Sequence, residues 1–423
     1  MSQYFLSLLV MLAVFAGLCF VAKLHISLCM AGAALAGCLV SGNGLGLRYL
    51  IEGSFSYLDT ILIIATAMIF MKVIEEAGTL EAVSAIILRN FYKSPALLLI
   101  FLTIFMMLPG MVTGSSTAAV LSVGGIVAPV LMMMGIDAVT TATIVAYGAI
   151  LGMVAPPVNL PALMICSGVD SPFVGFSLPI MLLVTPLAIV MPLLLGLKKA
   201  RKLSKEEMEQ HLGENARKKF GIRLFLPVIV LVALIVVSKL LHLTQDIAMP
   251  LTFLISAFFG LFSGKKIKVI PTMEKAIHDC MPVMGVLMGV GMFIEVMTLT
   301  GVRGLIVVGC LSLPAAIMVI VAGISMPLFG AVSCFGSASV LGVPFALALL
   351  NQDTTITITA LSLMAAMGDF IPPAALAGRI AAKTAGVTKY GSVVKKAALP
   401  IIISVVFAIV YILCSQSIAA ILP

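Results

Sequence analysis

Two short stretches rich in glycine and hydroxyl side chains stand out in an otherwise apolar chain: Thr113-Gly114-Ser115-Ser116-Thr117 and Phe335-Gly336-Ser337-Ala338-Ser339. Glycine lets the backbone turn and approach an ion closely. Serine and threonine supply short oxygen ligands, and half-helix ends offer carbonyls to cations and amides to anions. A second pair joins a glycine to a double proline: Gly152-Met153-Val154-Ala155-Pro156-Pro157-Val158-Asn159 and Gly368-Asp369-Phe370-Ile371-Pro372-Pro373. Each double proline removes two backbone donors and frees carbonyls upstream. Oxygen-only, carbonyl-rich positions of this kind suit a hard monovalent cation. The candidate cation and substrate residues are therefore Gly114, Ser115, Ser116, Thr117, Ala155, Pro156, Pro157, Asn159, Gly336, Ser337, Ser339, Gly368, Asp369, Pro372 and Pro373. Taken singly, each could be a packing kink or a small-residue helix contact; four matched positions favour a site.

Asp369 sits at one break in an otherwise uncharged run. An acid at membrane depth is a candidate cation ligand or proton carrier, or it faces a water-filled vestibule. Glu295 and its repeat mate Lys72 are expected to snorkel or to bind a neighbour. Asp137 and Asp353 each open a helix followed by threonines, which predicts N-capping. The histidines are dispersed, and no cluster predicts a transition-metal site. The eight cysteines contain no C-x-x-C pair and are expected as small packing residues. An intramembrane aspartyl protease would need a second facing aspartate, and a serine protease a histidine in the core. No H-E-x-x-H is present, so an enzyme is not expected.

The elements that must position these residues follow from composition. Of the 423 residues 62% are hydrophobic and 10% charged, with mean hydropathy +1.24. A soluble domain carries about 25% charged residues, so this chain cannot clothe itself in water. It is predicted to be an all-α integral membrane protein in a lipid bilayer, with no nucleic-acid partner. Runs long enough to cross a bilayer cover 4–22, 25–41, 57–75, 175–197, 224–241, 247–263, 277–299 and 398–421. Three further apolar stretches, 95–134, 137–167 and 311–381, are interrupted by Pro and Gly. Broken backbone at membrane depth must be buried in protein or line a wet cavity.

If the broken stretches before Asp137 and Asp353 are re-entrant hairpins, the polar segment 198–223 is cytoplasmic, and both termini are extracytoplasmic. All Lys and Arg residues except Arg48, Lys72, Lys239 and Arg303 then fall inside. The net charge of +8 is thus a topology signal. The segment 198–223 mixes acids and bases at helical spacing and reads as a solvated linker helix.

The halves match in order. Phe70, Val73 and Gly78 recur as Phe293, Val296 and Gly301, and Gly114-Ser115 as Gly336-Ser337. Asp137, Thr141, Gly152 and Pro156-Pro157 recur at one offset as Asp353, Thr357, Gly368 and Pro372-Pro373. With about five spans, one hairpin and one Pro-Pro-broken helix each, the copies face opposite ways: 1–197 and 224–423 form two inverted-topology repeats. Matched broken helices in inverted repeats point to a secondary transporter with its site near the midplane.

The ordered set of hairpin tip, apolar helix and Gly-x-x-x-Pro-Pro, repeated, resembles the large membrane subunit of tripartite ATP-independent periplasmic (TRAP) transporters, within the ion transporter superfamily. The likeness covers nearly the whole chain and is strongest over 113–179. It implies an elevator: scaffold helices at about 1–56 and 224–263, and a moving transport part at about 57–197 and 276–423. It further implies sodium coupling at the positions named above, import of a small organic acid, and no cofactor beyond sodium. The implied partners are a separate small four-helix membrane subunit and an extracytoplasmic substrate-binding protein, with the chain in the cell's inner (plasma) membrane. Asn159 stands where many relatives have Ser, and Asp369 lies in the second break; both leave the coupling ion open. The alternative is a self-sufficient carboxylate carrier of the same superfamily, or a cation/proton antiporter.

Overall fold

Every regular element among the described residues is a helix, which is how a chain with few polar side chains satisfies its own backbone in lipid. The computed structural model describes residues 2–212, 221–241 and 245–421. Among the described residues seven helices are long and apolar enough to cross a membrane, or eight when Leu47–Phe55 and Leu58–Ala77, bent by 43°, count as one span. Within the linker expected at 198–223 a helix spans Lys205–Leu212, and 213–220 lie outside the described residues.

Two expected spans differ in their bounds. The run predicted at 277–299 is a helix from Val269 to Leu299, because Thr272 and Ala276 already pack inward ahead of the apolar run. The last span, predicted at 398–421, is Tyr390–Leu413. Val393 and Ala397 are buried there while Lys395 remains exposed, so an amphipathic turn precedes the apolar stretch. Hydropathy sees the apolar stretch alone.

Packing sorts the helices into two groups. Val269–Leu299 lies against Ile26–Val40, Leu47–Phe55 and Leu58–Ala77, and Gln245–Gly260 packs on Leu58–Ala77. Two glycines let the first group close up: a Cβ on Gly291 would stand 2.1 Å from the Gly53 carbonyl oxygen. The second group holds the hairpins and broken helices. Pro95–Thr113 packs on Ala138–Met153, whose residues from Thr140 onward are all buried. The breaks interlock across the halves: Leu376–Thr384 packs on Ala138–Met153, and Leu160–Gly168 on Thr354–Ala366.

Candidate functional site

The first hairpin descends as Pro95–Thr113 and returns as Ser116–Met133. Its tip turns at Gly114, φ 62°, where the left-handed backbone favours glycine. The Thr113 hydroxyl donates to Pro109 O at 2.7 Å, and Ser115 Oγ accepts the Ala118 N–H at 3.2 Å as an N-cap. The second hairpin descends as Ala315–Gly330 and returns as Cys334–Ala348. Its cap is Ser333, whose Oγ accepts the Gly336 N–H at 3.0 Å.

That cap corrects the sequence pairing of the tips. Ser115 corresponds to Ser333, and both returning helices then carry a π-helical turn, Val120–Gly124 and Ala338–Gly342. The second tip is one residue longer and has no left-handed glycine, so matching glycine to glycine slips the register by a turn. Gly336, Ser337 and Ser339 consequently lie past the tip. Ser337 donates to Met326 O at 2.7 Å, stitching the hairpin's helices, and Ser339 accepts from the buried Tyr57 hydroxyl at 3.4 Å.

The two Pro-Pro breaks are built alike. Both prolyl bonds are cis. Val158 N–H reaches Met111 O at 3.2 Å, and Ala374 N–H reaches Ala331 O at 3.0 Å, tying each break to its own hairpin. Glycines permit that contact, since a Cβ on Gly152 would meet Met107 O at 2.4 Å and one on Gly368 would meet Gly330 C at 2.2 Å. The carbonyls left open where Val158 and Ala374 turn away to the hairpins are taken by side chains. Asn159 Nδ2 donates to Val154 O at 2.8 Å, and the Tyr390 hydroxyl donates to Phe370 O at 2.7 Å. Asn159 also caps Ala162 and donates to Ser362 at 3.0 Å. Ala155 is fully buried, whereas Pro156, Pro157 and Pro373 are half-buried and Pro372 is exposed.

Each break also reaches the other half's tip. The Ser116 hydroxyl donates to Asp369 Oδ2 at 2.5 Å, and at the equivalent place Cys334 Sγ lies 3.9 Å from Met153 Sδ. Both tips and Asp369 open onto a cavity of about 240 Å³. Of the predicted site residues, Ser115, Ser116, Thr117 and Asp369 line it. Sequence reasoning missed Ser333 and Cys334, through the slipped register, and the charged rim. Lys72 was assigned to snorkelling or to a neighbour; its Nζ pairs with Asp279 at 3.0 Å and Glu75 at 3.2 Å on the cavity wall. His25 and His278, dismissed because no sequence cluster joins them, line the same space. The signal that could have found the rim is the pairing of Lys72 with Asp279, two charges facing each other from separate apolar runs. Among the described residues, no group of three or more His, Cys, Asp or Glu side chains could hold a metal ion.

No protein-family model and no curated protein matches the chain. Solved structures do. The Alcanivorax borkumensis YdaH transporter, described as having an unusual topology, superposes with a TM-score of 0.61 at 15% identity, over 87% of this chain and 88% of that one. Neisseria gonorrhoeae MtrF, described with a class of antimetabolite efflux pumps, gives 0.56 at 12% identity, over 87% and 83%. The fold is that of helical membrane transporters. Hairpin tips and broken helices around a cavity are thus found here on a transporter fold, in a multi-pass membrane chain.

Proposed function

We propose that the chain is a cation-coupled secondary transporter for a small organic acid, with its coupling site where Ser116 meets Asp369. That contact carries the reading. It joins the tip of one half to the break of the other, places a carboxylate at the cavity wall, and changes whenever tip and break move apart. A sodium ion or a proton on Asp369 neutralises the acid before an anion enters the same cavity; two like charges in a low-dielectric space repel strongly. Coupling follows from that order of loading.

The matched caps, π turns and Pro-Pro breaks support two inverted repeats, and the elevator is part of the same proposal. The contacts of Leu58–Ala77 and Val269–Leu299 with the helices proposed as scaffold support a later boundary than the sequence suggests, with the hairpins and broken helices as the moving part of the proposal. With Lys and Arg inside, the cavity rim at His25, Lys72 and Asp279 faces the cytoplasm, an inward-open arrangement. The small membrane subunit and the extracytoplasmic binding protein belong to the TRAP form of this proposal.

The test is uptake into proteoliposomes containing the chain alone, then with a candidate small subunit and binding protein, under an imposed sodium or proton gradient. Gradient-driven uptake of a carboxylate, lost in Asp369→Asn, is the expected result. Robust uptake by the chain alone would replace the TRAP form with the self-sufficient carrier, and ungated flux without dependence on either ion would overturn coupling. Orientation is checked separately: Glu206→Cys should be labelled by an impermeant thiol reagent only after permeabilisation.

A further inference from the structure

We infer that Lys72 is the anion receptor of the cavity and that Asp279 is the counter-ion a substrate carboxylate displaces. This rests on the proposed transport reading and names the group that would hold the substrate. Among the described residues, Lys72 is the one Lys or Arg lining the cavity, and its side chain is 15% exposed. It projects from the last third of Leu58–Ala77, at the end of that helix's apolar run, and is held by Glu75 of its own helix and Asp279 of Val269–Leu299. An ammonium left alone there would be costly, so it keeps a carboxylate partner at all times.

Asp279 is suited to give way. Its side chain is 32% exposed, twice as open as that of Lys72, so water can solvate it when it swings aside. The substrate's own carboxylate then takes its place, and Lys72 passes from one carboxylate to another without standing unpaired. The remaining wall tells which anions fit. Met68, Met71, Leu121, Val283 and Phe335 line the cavity, and an apolar wall favours an organic body over a fully hydrated inorganic ion. The volume, about 240 Å³, lies below the usual range for drug-sized ligands, about 300–1,000 Å³. A small organic acid fits; a bulky one does not.

Thermal unfolding of the purified full chain tests this, followed with a thiol-reactive fluorophore that reports the buried cysteines as they emerge. The probes are hexanoate, succinate and sulfate, each with and without sodium. Wild type should be stabilised by one or both carboxylates. Lys72→Met should bind them at least about 10-fold more weakly while keeping its sodium response. Asp279→Asn removes the competitor and should tighten binding by about fivefold, the worth of a partly exposed ion pair. Because Lys72→Met leaves Asp279 unpaired, the double variant Lys72→Met/Asp279→Asn serves as the folded control and should also be blind to carboxylate.

Carboxylate binding at wild-type strength in the double variant would overturn the proposal. So would an Asp279→Asn chain that binds no tighter, since a purely structural pair predicts that result. A response to sulfate equal to that of the carboxylates would overturn the assignment to an organic anion. If no probe stabilises wild type but sodium or proton does, the Lys72 receptor falls and coupled transport stands. If carboxylate binds but neither cation has an effect, coupling falls and the receptor stands.

Discussion

The two Pro-Pro breaks share a frame and differ in what fills it. In each, a backbone N–H ties the break to its own hairpin, a side chain takes the freed carbonyl, and a glycine pair brings the backbones together. In each, the residue after the clamping glycine, Met153 after Gly152 or Asp369 after Gly368, reaches the first residue past the opposite tip's cap, Cys334 or Ser116. One crossing is a contact of two sulfurs, the other a hydroxyl on a carboxylate. The first break is closed by Asn159, while its counterpart Ala375 has no side-chain cap and a left-handed φ of 44°. The two crossings thus share a geometry and differ in chemistry, and the charged group stands in one of them.

The largest effect that would break this comparison concerns the crossings themselves. Asp369→Asn keeps the shape and removes the charge, and uptake should fall at least about 30-fold, as when one partner of a buried charged contact is truncated. Met153→Leu, a volume-conserving swap at the mirror position, should leave uptake within about twofold, since such swaps are well tolerated. Equal losses from both would show that the crossings matter as packing and not as chemistry.

Next in size is the clamp that the breaks share. Gly152→Ala and Gly368→Ala each drive a methyl into backbone, which cannot yield as a flexible side chain does. Each should cost about 3 kcal/mol or more of stability, the upper range for overpacking, read as a lower unfolding midpoint. The two costs should be similar. A tolerated alanine at one glycine alone would mean that the breaks are not built on one plan.

Asn159 should come third. Asn159→Ala removes an N-cap and strips the buried Val154 carbonyl and Ser362 hydroxyl of their donor, a loss of about 2–4 kcal/mol. Protein that survives should still transport, because Asn159 lies in the closed break and does not line the cavity. Loss of ion-dependent stabilisation without loss of stability would instead make Asn159 a ligand.

Much of this frame was legible beforehand, and for physical reasons. Pro, Gly and helix-capping Asp act locally, so Asp137, Asp353, Gly114 and the two double prolines announce their geometry wherever they stand. Asp137 and Asp353 do cap Thr140 and Ile356. The tip register was misread because a glycine match was preferred to a cap match, although the serine hydroxyl sets the helix start. Asn159 was read as a candidate ligand because its partners, the Val154 carbonyl, the Ser362 hydroxyl and the Ala162 N–H, are invisible in sequence, which shows a polar group but not the bonds it makes. Lys72 was undervalued for the opposite reason: its partner Asp279 lies on a helix far along the chain, and only packing brings the pair to one cavity.

The smallest expected effect compares the helix starts of the two halves outside the membrane. Asp137 caps Thr140 and also pairs with Lys199; Asp353 caps Ile356 with no ion pair among the described residues. Partial burial pushes the Asp137 carboxyl upward, but Lys199 and the Thr140 N–H and hydroxyl outweigh it and hold the pKa down to about 2 against the ordinary 3.8. A depressed carboxylate stabilises the fold above its unfolded value, and that stabilisation is lost as pH falls toward 2. Both partners are nearly half exposed, 45% and 47%, so solvent screening limits the pair to about 1 kcal/mol or less. Asp137→Asn should therefore lower the unfolding midpoint slightly at neutral pH, and the gap to wild type should close between about pH 4 and pH 2. High salt should shrink the same gap. Asp353→Asn keeps its cap, because asparagine caps as well as aspartate, and has no ion pair to lose, so its midpoint should stay close to wild type; a salt-sensitive loss there as large as at Asp137 would erase this last difference between the halves.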